Sequence, residues 1–193
     1  MEQLNIQNIS LIAIPAGVLI VLAQVSYLRD TCRRIIQPSI LSWIGWSLLM
    51  GTSLVSQVIM KGWEWSLTGL LISTVGCLLI AGMAFFLKNF SLQKSDRIYL
   101  IAGSFCMIIY ILTQNPWLTT IFAITADFLL AIPTFLKAMK NPLSEKTHSW
   151  IFGFLSWTLT LFISFGEGIL YALWPIYLFG FNGAMIYLTF FRK

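Results

Sequence analysis

Seven long apolar stretches set the pattern of this chain, at residues 9–28, 39–60, 66–87, 97–113, 117–137, 148–166 and 171–191. Each falls in the range of about 17–25 residues that crosses a hydrocarbon core as a helix. Lipid offers no hydrogen-bond partner to an unpaired backbone group, so every stretch is predicted to be helical throughout. The polar connections are short, and no soluble domain fits anywhere along the chain. The expected fold is all-α and polytopic, with seven transmembrane helices. The first stretch lacks a basic region before it and a small-residue cleavage site behind it, so it is expected to remain as a helix.

The stretches also repeat. Ala23-Gln24-Val25-Ser26-Tyr27-Leu28-Arg29, followed by Ser42-Trp43-Ile44, returns as Ala131-Ile132-Pro133-Thr134-Phe135-Leu136-Lys137, followed by Ser149-Trp150-Ile151. The offset is 108 residues before the connecting loop and 107 after it. Phe85-Phe86-Leu87-Lys88 returns as Phe190-Phe191-Arg192-Lys193, at offset 105. Duplicated blocks of hydrophobic chain are a signature of membrane transporters. The repeats cover the first three and the last three stretches and leave the fourth unmatched. An odd number of crossings would invert the second block, and the extra helix restores its direction. This predicts a three-plus-one-plus-three parallel arrangement: a first triple-helix bundle over 1–93, a linker helix within 94–115, and a second bundle over 116–193.

Composition agrees, since 58% hydrophobic and 10% charged residues leave too little polar surface for a soluble domain of this size. Charge adds orientation. Arg29, Arg33, Arg34, Lys88, Lys94, Arg97, Lys137, Lys140, Lys146, Arg192 and Lys193 share one side of a seven-crossing chain, and Lys61 alone takes the other. The positive-inside rule then puts the N-terminus outside and the C-terminus in the cytoplasm. Topology and lipid headgroups account for the net charge of +5, and no nucleic-acid partner is implied. Cys77 and Cys106 lie within predicted helices and Cys32 in a cytoplasmic loop, so neither a disulfide nor a metal site is expected. Asn8-Ile9-Ser10 fits a glycosylation sequon close to the outer surface.

This layout resembles the SWEET and PQ-loop transporter superfamily, which shares its fold with the KDEL receptor. A PQ-loop repeat carries Pro-Gln near the cytoplasmic end of its first helix, followed by a basic loop. Here the first block has Ala23-Gln24 and the second Pro133-Thr134, so each keeps half of the dipeptide. The resemblance implies a carrier whose two triple-helix bundles rock about a central cavity, without ATP. It also implies Pro133 as a hinge and Gln24 as a cytoplasmic gate. The competing readings are a proline of the kind frequent in membrane helices and a solvated helix end. Pro15 has no repeat counterpart and reads as structural.

Asp127 is the sharpest candidate for chemistry. It lies about ten residues from either end of its stretch, near the bilayer midplane at about 1.5 Å of rise per residue. Placing an aspartate there costs roughly 2.5–3.5 kcal/mol on the insertion scale, and intramembrane acids are functional by default. It is expected to contact solute or carry a proton; the alternative is a packing hydrogen bond. Asn182 lies at similar depth in the last stretch, and Cys77 occupies the equivalent place in the third. An amide supplies both donor and acceptor for a polar solute. In SWEET-like proteins an asparagine at this point of each third helix binds sugar, so the resemblance extends to Asn182 but departs at Cys77. The alternative for Asn182 is an interhelical hydrogen bond beside the small pair Gly180/Ala184. A single small-residue pair does not decide whether the chain forms a homo-oligomer. Trp157, near mid-depth, matches a ligand-stacking tryptophan or else fills the core, and Thr52 and Ser53 face it from the second stretch. Trp43, Trp63, Trp65, Trp117, Trp150 and Trp174 lie at helix ends and read as an interfacial belt.

Absences narrow the function. No lysine lies inside the last stretch for a retinal Schiff base, and the single His148 sits at a helix boundary. Asp127 has no second mid-membrane acid for an intramembrane aspartyl protease. No phosphate loop or metal cluster appears, so no enzyme, cofactor or metal is expected. The expectation is a small carrier of a polar organic solute, sugar-like or amino-acid-like, in a bacterial plasma membrane, with proton coupling through Asp127 as a further element. The alternative is a receptor or assembly factor on the same fold that binds without transport.

Overall fold

α1 runs from Glu2 to Cys32 in the computed structural model, with α2 at Ile40–Lys61 and α3 at Leu67–Phe86. After these come α4 at Pro116–Lys140, a short 3₁₀ turn at Pro142–Glu145, α5 at Ser149–Glu167 and α6 at Ile169–Ile186. A π-helical turn, Tyr187–Phe191, extends α6 and closes with the Arg192 amide donating to the Tyr187 carbonyl at 3.0 Å. The structure describes residues 2–91 and 115–192, with Ile101, Ser104, Phe105, Ile108 and Leu112 between them; the side chains of 2–10, Met60, Lys61, Pro116 and Thr119 are excepted. The predicted fourth stretch at 97–113, and with it the 94–115 linker, Lys94, Arg97 and Cys106, lies outside the described residues apart from those five, which are helical and exposed. Six helices are therefore described where seven were expected. Apart from an isolated bridge between Ser39 and Ser91, the described chain is helix and turn.

Five helices are long and apolar enough to cross a membrane, the mark of an integral membrane protein. α2 falls short because it carries Ser42, Ser47, Thr52, Ser53, Ser56 and Gln57. Several of these hydroxyls tie helices together, which is how polar groups are satisfied away from water. Ser42 Oγ donates to the Leu130 carbonyl at 2.7 Å and Ser47 Oγ to that of Thr74 at 2.9 Å. Trp174 Nε1 donates to Ser53 Oγ at 2.8 Å. The outward faces are apolar instead: Leu11, Ile14, Val18, Val21 and Val25 form an exposed stripe along α1 at helical spacing. Its inward stripe, Ala13, Ala16, Ile20 and Ala23, is small enough to bring α5 close, and Ser156 Oγ donates to the Ala16 carbonyl at 2.8 Å.

Helix boundaries follow local chemistry. Asn115 caps α4 by accepting from the Trp117 and Leu118 amides, and Pro116 supplies a first residue that needs no donor. Gly168, at φ 125°, lets the chain reverse between α5 and α6 within one residue, a conformation side chains rarely adopt. α1 outruns its predicted 9–28 at both ends.

Packing follows one scheme twice. α3 packs against both α1 and α2, and α6 against both α4 and α5; between the two groups α1 meets α5 and α2 meets α4. α1, α3, α4 and α6 finish at one end of the bundle, where α2 and α5 begin. Arg34 there donates to the Leu87 carbonyl, Gln37 to that of Phe90, and Lys146 lies over the Phe190 ring. Arg29, Arg33, Arg34, Lys88, Lys137, Lys140, Lys146 and Arg192 gather at this basic end. At the opposite end Glu167 accepts from the Ser66 amide, close to Glu64. α3 ends at the basic end and α4 begins at the other, so the chain changes ends between them.

Candidate functional site

A cavity of about 60 Å³ lies between the two groups of helices. That volume holds a few waters or one small polar group. Asp127 projects into it from half-way along α4, and Asn182 and Cys77 reach it from α6 and α3. Trp157 lines it from α5 and Gln24 from α1. These are five of the residues singled out by sequence, brought to one place by five different helices.

The lining follows the repeat. At the 107-residue offset Trp43 pairs with Trp150, Trp46 with Gly153 and Met50 with Trp157, and all six line the cavity. At the 105-residue offset Ser73 pairs with Leu178 and Cys77 with Asn182, and these line it too. Asp127 breaks the pattern, since its counterpart is Leu19. The cavity therefore sits where the two copies of the unit face each other, with one acid added on one side.

Asp127 is 3% exposed. Tyr177 donates its hydroxyl to Asp127 Oδ2 at 2.7 Å, while Asp127 Oδ1 has no partner. Trp46 Nε1 fixes the same turn by donating to the Asp127 carbonyl at 3.3 Å. Asn182 donates its Nδ2 to the Leu178 carbonyl at 2.7 Å, which turns its Oδ1 toward Gly153. A side chain at Gly153 would collide with that oxygen, so the glycine is what admits the amide to the cavity. Gly76 does the same for Gln24, whose Oε1 is buried without a partner. Gly69 leaves room for the edge of the Trp157 ring.

Toward the basic end, aromatic rings close the cavity. Tyr27, Trp43, Trp46, Phe181 and Trp150 form a circuit of neighbours with centroids 4.3 to 5.7 Å apart. The tilted and edge-on contacts are the geometry such rings prefer. Beneath this floor lies a buried polar latch. Tyr27 Oη donates to Glu145 Oε2 at 2.8 Å, Lys137 forms an ion pair with Glu145 Oε1, and Trp150 Nε1 donates to the Glu145 carbonyl at 2.9 Å. Lys137 also donates to the Gln37 carbonyl, and Thr147 Oγ1 donates to Asp30 Oδ2 at 2.7 Å. Glu145 is fully buried and Asp30 nearly so.

The structure corrects expectations at Thr52 and in the tryptophan belt. Thr52 is not in the cavity: it lies in an outward apolar groove between α2 and α3, donating to the Leu48 carbonyl. Adjacent helical residues point about 100° apart, and it is Ser53 that turns inward. Trp43, Trp150 and Trp174 are not interfacial anchors but are buried at 4%, 4% and 1% exposure, whereas Trp63, Trp65 and Trp117 are exposed as a belt requires. Trp43 and Trp150, near the basic end, face rings of other helices, and Trp174, near the opposite end, is turned inward to donate to Ser53 on α2. Trp46 is a lining residue that sequence reasoning missed. The signal that could have found Trp43 and Trp150 is the repeat itself, since Ser-Trp-Ile is its best-kept segment. Pro133 is buried within α4. Among the described residues no group of His, Cys, Asp or Glu could hold a metal ion.

Compared with family models, with curated proteins and with solved structures, the chain matches none.

Proposed function

We propose that this integral membrane protein is a small carrier that moves a polar organic solute by alternating access, on a SWEET-like plan of three, one and three helices. The observation that carries the proposal is that repeat-matched positions line a single cavity holding a buried acid. Two copies of one packing unit that meet around a solute-binding hollow can rock about it, exposing it to each side in turn. The change of ends between α3 and α4 agrees with a crossing between them. With the basic end in the cytoplasm, the N-terminus is outside. The small volume and the aromatic floor fit a conformation closed toward the basic side. Gln24 borders the cavity and Pro133 lies inside α4, where its missing donor weakens the helix locally, and there hinge and gate would act. A bacterial plasma membrane suits the short loops.

Asp127 gives the carrier a means of proton coupling, with Tyr177 on α6 and Cys77 on α3 as the titratable groups around it among the described residues. Counterflow into proteoliposomes, with panels of sugars, amino acids and nucleosides, tests the proposal. A carrier gives saturable counterflow of at least one solute, and Asp127→Asn abolishes its pH dependence. A ligand that binds tightly yet never crosses would instead establish the receptor reading. An Asp127→Asn protein with the wild-type pH profile would remove coupling through this residue.

A further inference from the structure

Two acceptors and one indole donor, Trp43 Nε1, are left over among the buried polar atoms of the cavity lining. Asp127 Oδ1 and Gln24 Oε1 are acceptors, both buried and unpartnered. Asn182, from another helix, adds an amide oxygen to the lining, its Nδ2 already committed to its own helix. Two indole donors of the lining are likewise spent inside the protein: Trp46 Nε1 on the Asp127 carbonyl and Trp150 Nε1 on that of Glu145. Open acceptors outnumber open donors among these buried atoms, which favours a ligand that chiefly donates.

Charge and shape point the same way. No lysine, arginine or histidine lines the cavity among the described residues, so Asp127 faces it without a counter-charge. A buried carboxylate is expensive unless it is paired. Four tryptophans, Trp43, Trp46, Trp150 and Trp157, line the cavity, and such rings attract a cation through their quadrupoles, more strongly where water is excluded. An ammonium group meets all three conditions, with three donors, no acceptor and a positive charge. At about 60 Å³ the cavity admits a group of that size and not a whole sugar ring.

We propose that the cavity takes the ammonium end of a small organic cation, with Asp127 as counter-ion, the Gln24 and Asn182 amide oxygens as further acceptors, and the tryptophan rings as walls. Only transport of the bound cation rests on the carrier reading; recognition itself is independent of it. The test uses the full chain purified in detergent at neutral pH. Tryptophan emission is titrated with ethanolamine against ethylene glycol, and with propylamine against propanol, each amine beside an uncharged relative of nearly the same shape.

Saturable changes with both amines and none with the neutral partners are expected, together with at least tenfold weaker amine binding by Asp127→Asn. Equal response to the neutral partners, no saturable response to either amine, or unchanged amine binding by the variant overturns the proposal. The wild-type comparison stands even where the variant does not fold. Amine binding without counterflow of the same amine supports this site and sinks the carrier. Counterflow of a neutral solute that the amines do not inhibit leaves the carrier standing and overturns the cation site.

Discussion

Glu145→Ala lowers the stability of the purified protein by about 3–5 kcal/mol, the range for removing one partner of a buried ion pair. The magnitude follows from where Glu145 sits. A single 3₁₀ turn, Pro142–Glu145, carries its carboxylate into a fully buried position between α1 and α4. Tyr27 and Lys137 both depend on it, and the Lys137 side chain is only 11% exposed, so its ammonium cannot recover its hydration in place. Replacing both residues, Glu145→Ala with Lys137→Met, removes the orphaned charge. The double variant is then less destabilised than the two single changes added together, with a coupling of about 0.5–3 kcal/mol. Equilibrium denaturation of the four proteins in detergent reads all of these values. A loss below about 0.5 kcal/mol for Glu145→Ala, the size of an ordinary surface substitution, would show that the latch holds nothing together.

Trp150→Ala costs a similar amount, about 3–5 kcal/mol, as a large-to-small change in a packed interior. The ring is 4% exposed and sits edge-on to both Tyr27 and Phe181, at 5.7 Å from each. Its indole donor also anchors the Glu145 carbonyl, so the variant loosens floor and latch together. Trp150→Phe keeps a ring in the circuit but loses that hydrogen bond, and its cost is expected to fall well below that of alanine. Denaturation of the same preparation measures both. Equal stability of the alanine variant and the parent would contradict a packed floor and restore Trp150 to the membrane interface, the place that its position near a helix end suggests.

What the sequence made legible was whatever depends on local pattern. α2 through α6 begin and end within three residues of the expected apolar stretches, apart from the last, whose tail tightens into a π-helical turn. Counting along helices also put Asp127, Asn182, Cys77 and Trp157 at a similar level of the bundle, and these four do share a cavity. Facing direction did not follow. Thr52 and Ser53 are neighbours, and only the rotation of α2 against the helices around it decides which turns inward; Gly45 allows its close approach to α4, since a side chain there would strike Leu130. The belt assignment fails at Trp43 and Trp150 because depth alone does not separate an anchor from a floor. Lys137 reads in the sequence as one more cytoplasmic charge, and nothing in the spacing ties it to an acid in the next loop. The latch is made by long-range contacts, Tyr27 with Glu145 and Asp30 with Thr147, which no local pattern encodes.

Cys77 offers the most direct test of the central claim, that two copies of a helical unit enclose a hollow reached from both faces of the membrane. Its thiol is buried in α3 on the cavity wall, and Cys32, which is exposed, and Cys106 can be replaced by serine to leave it alone. The measurement is labelling of Cys77 in oriented membrane vesicles by a charged, membrane-impermeant thiol reagent, added to one side at a time. Alternation of the bundle predicts modification from either side, slowed by a bound ligand. A thiol that stays unreacted from both sides, while a membrane-permeant reagent still reaches it, would mean that the hollow never opens to water and that the protein is no carrier.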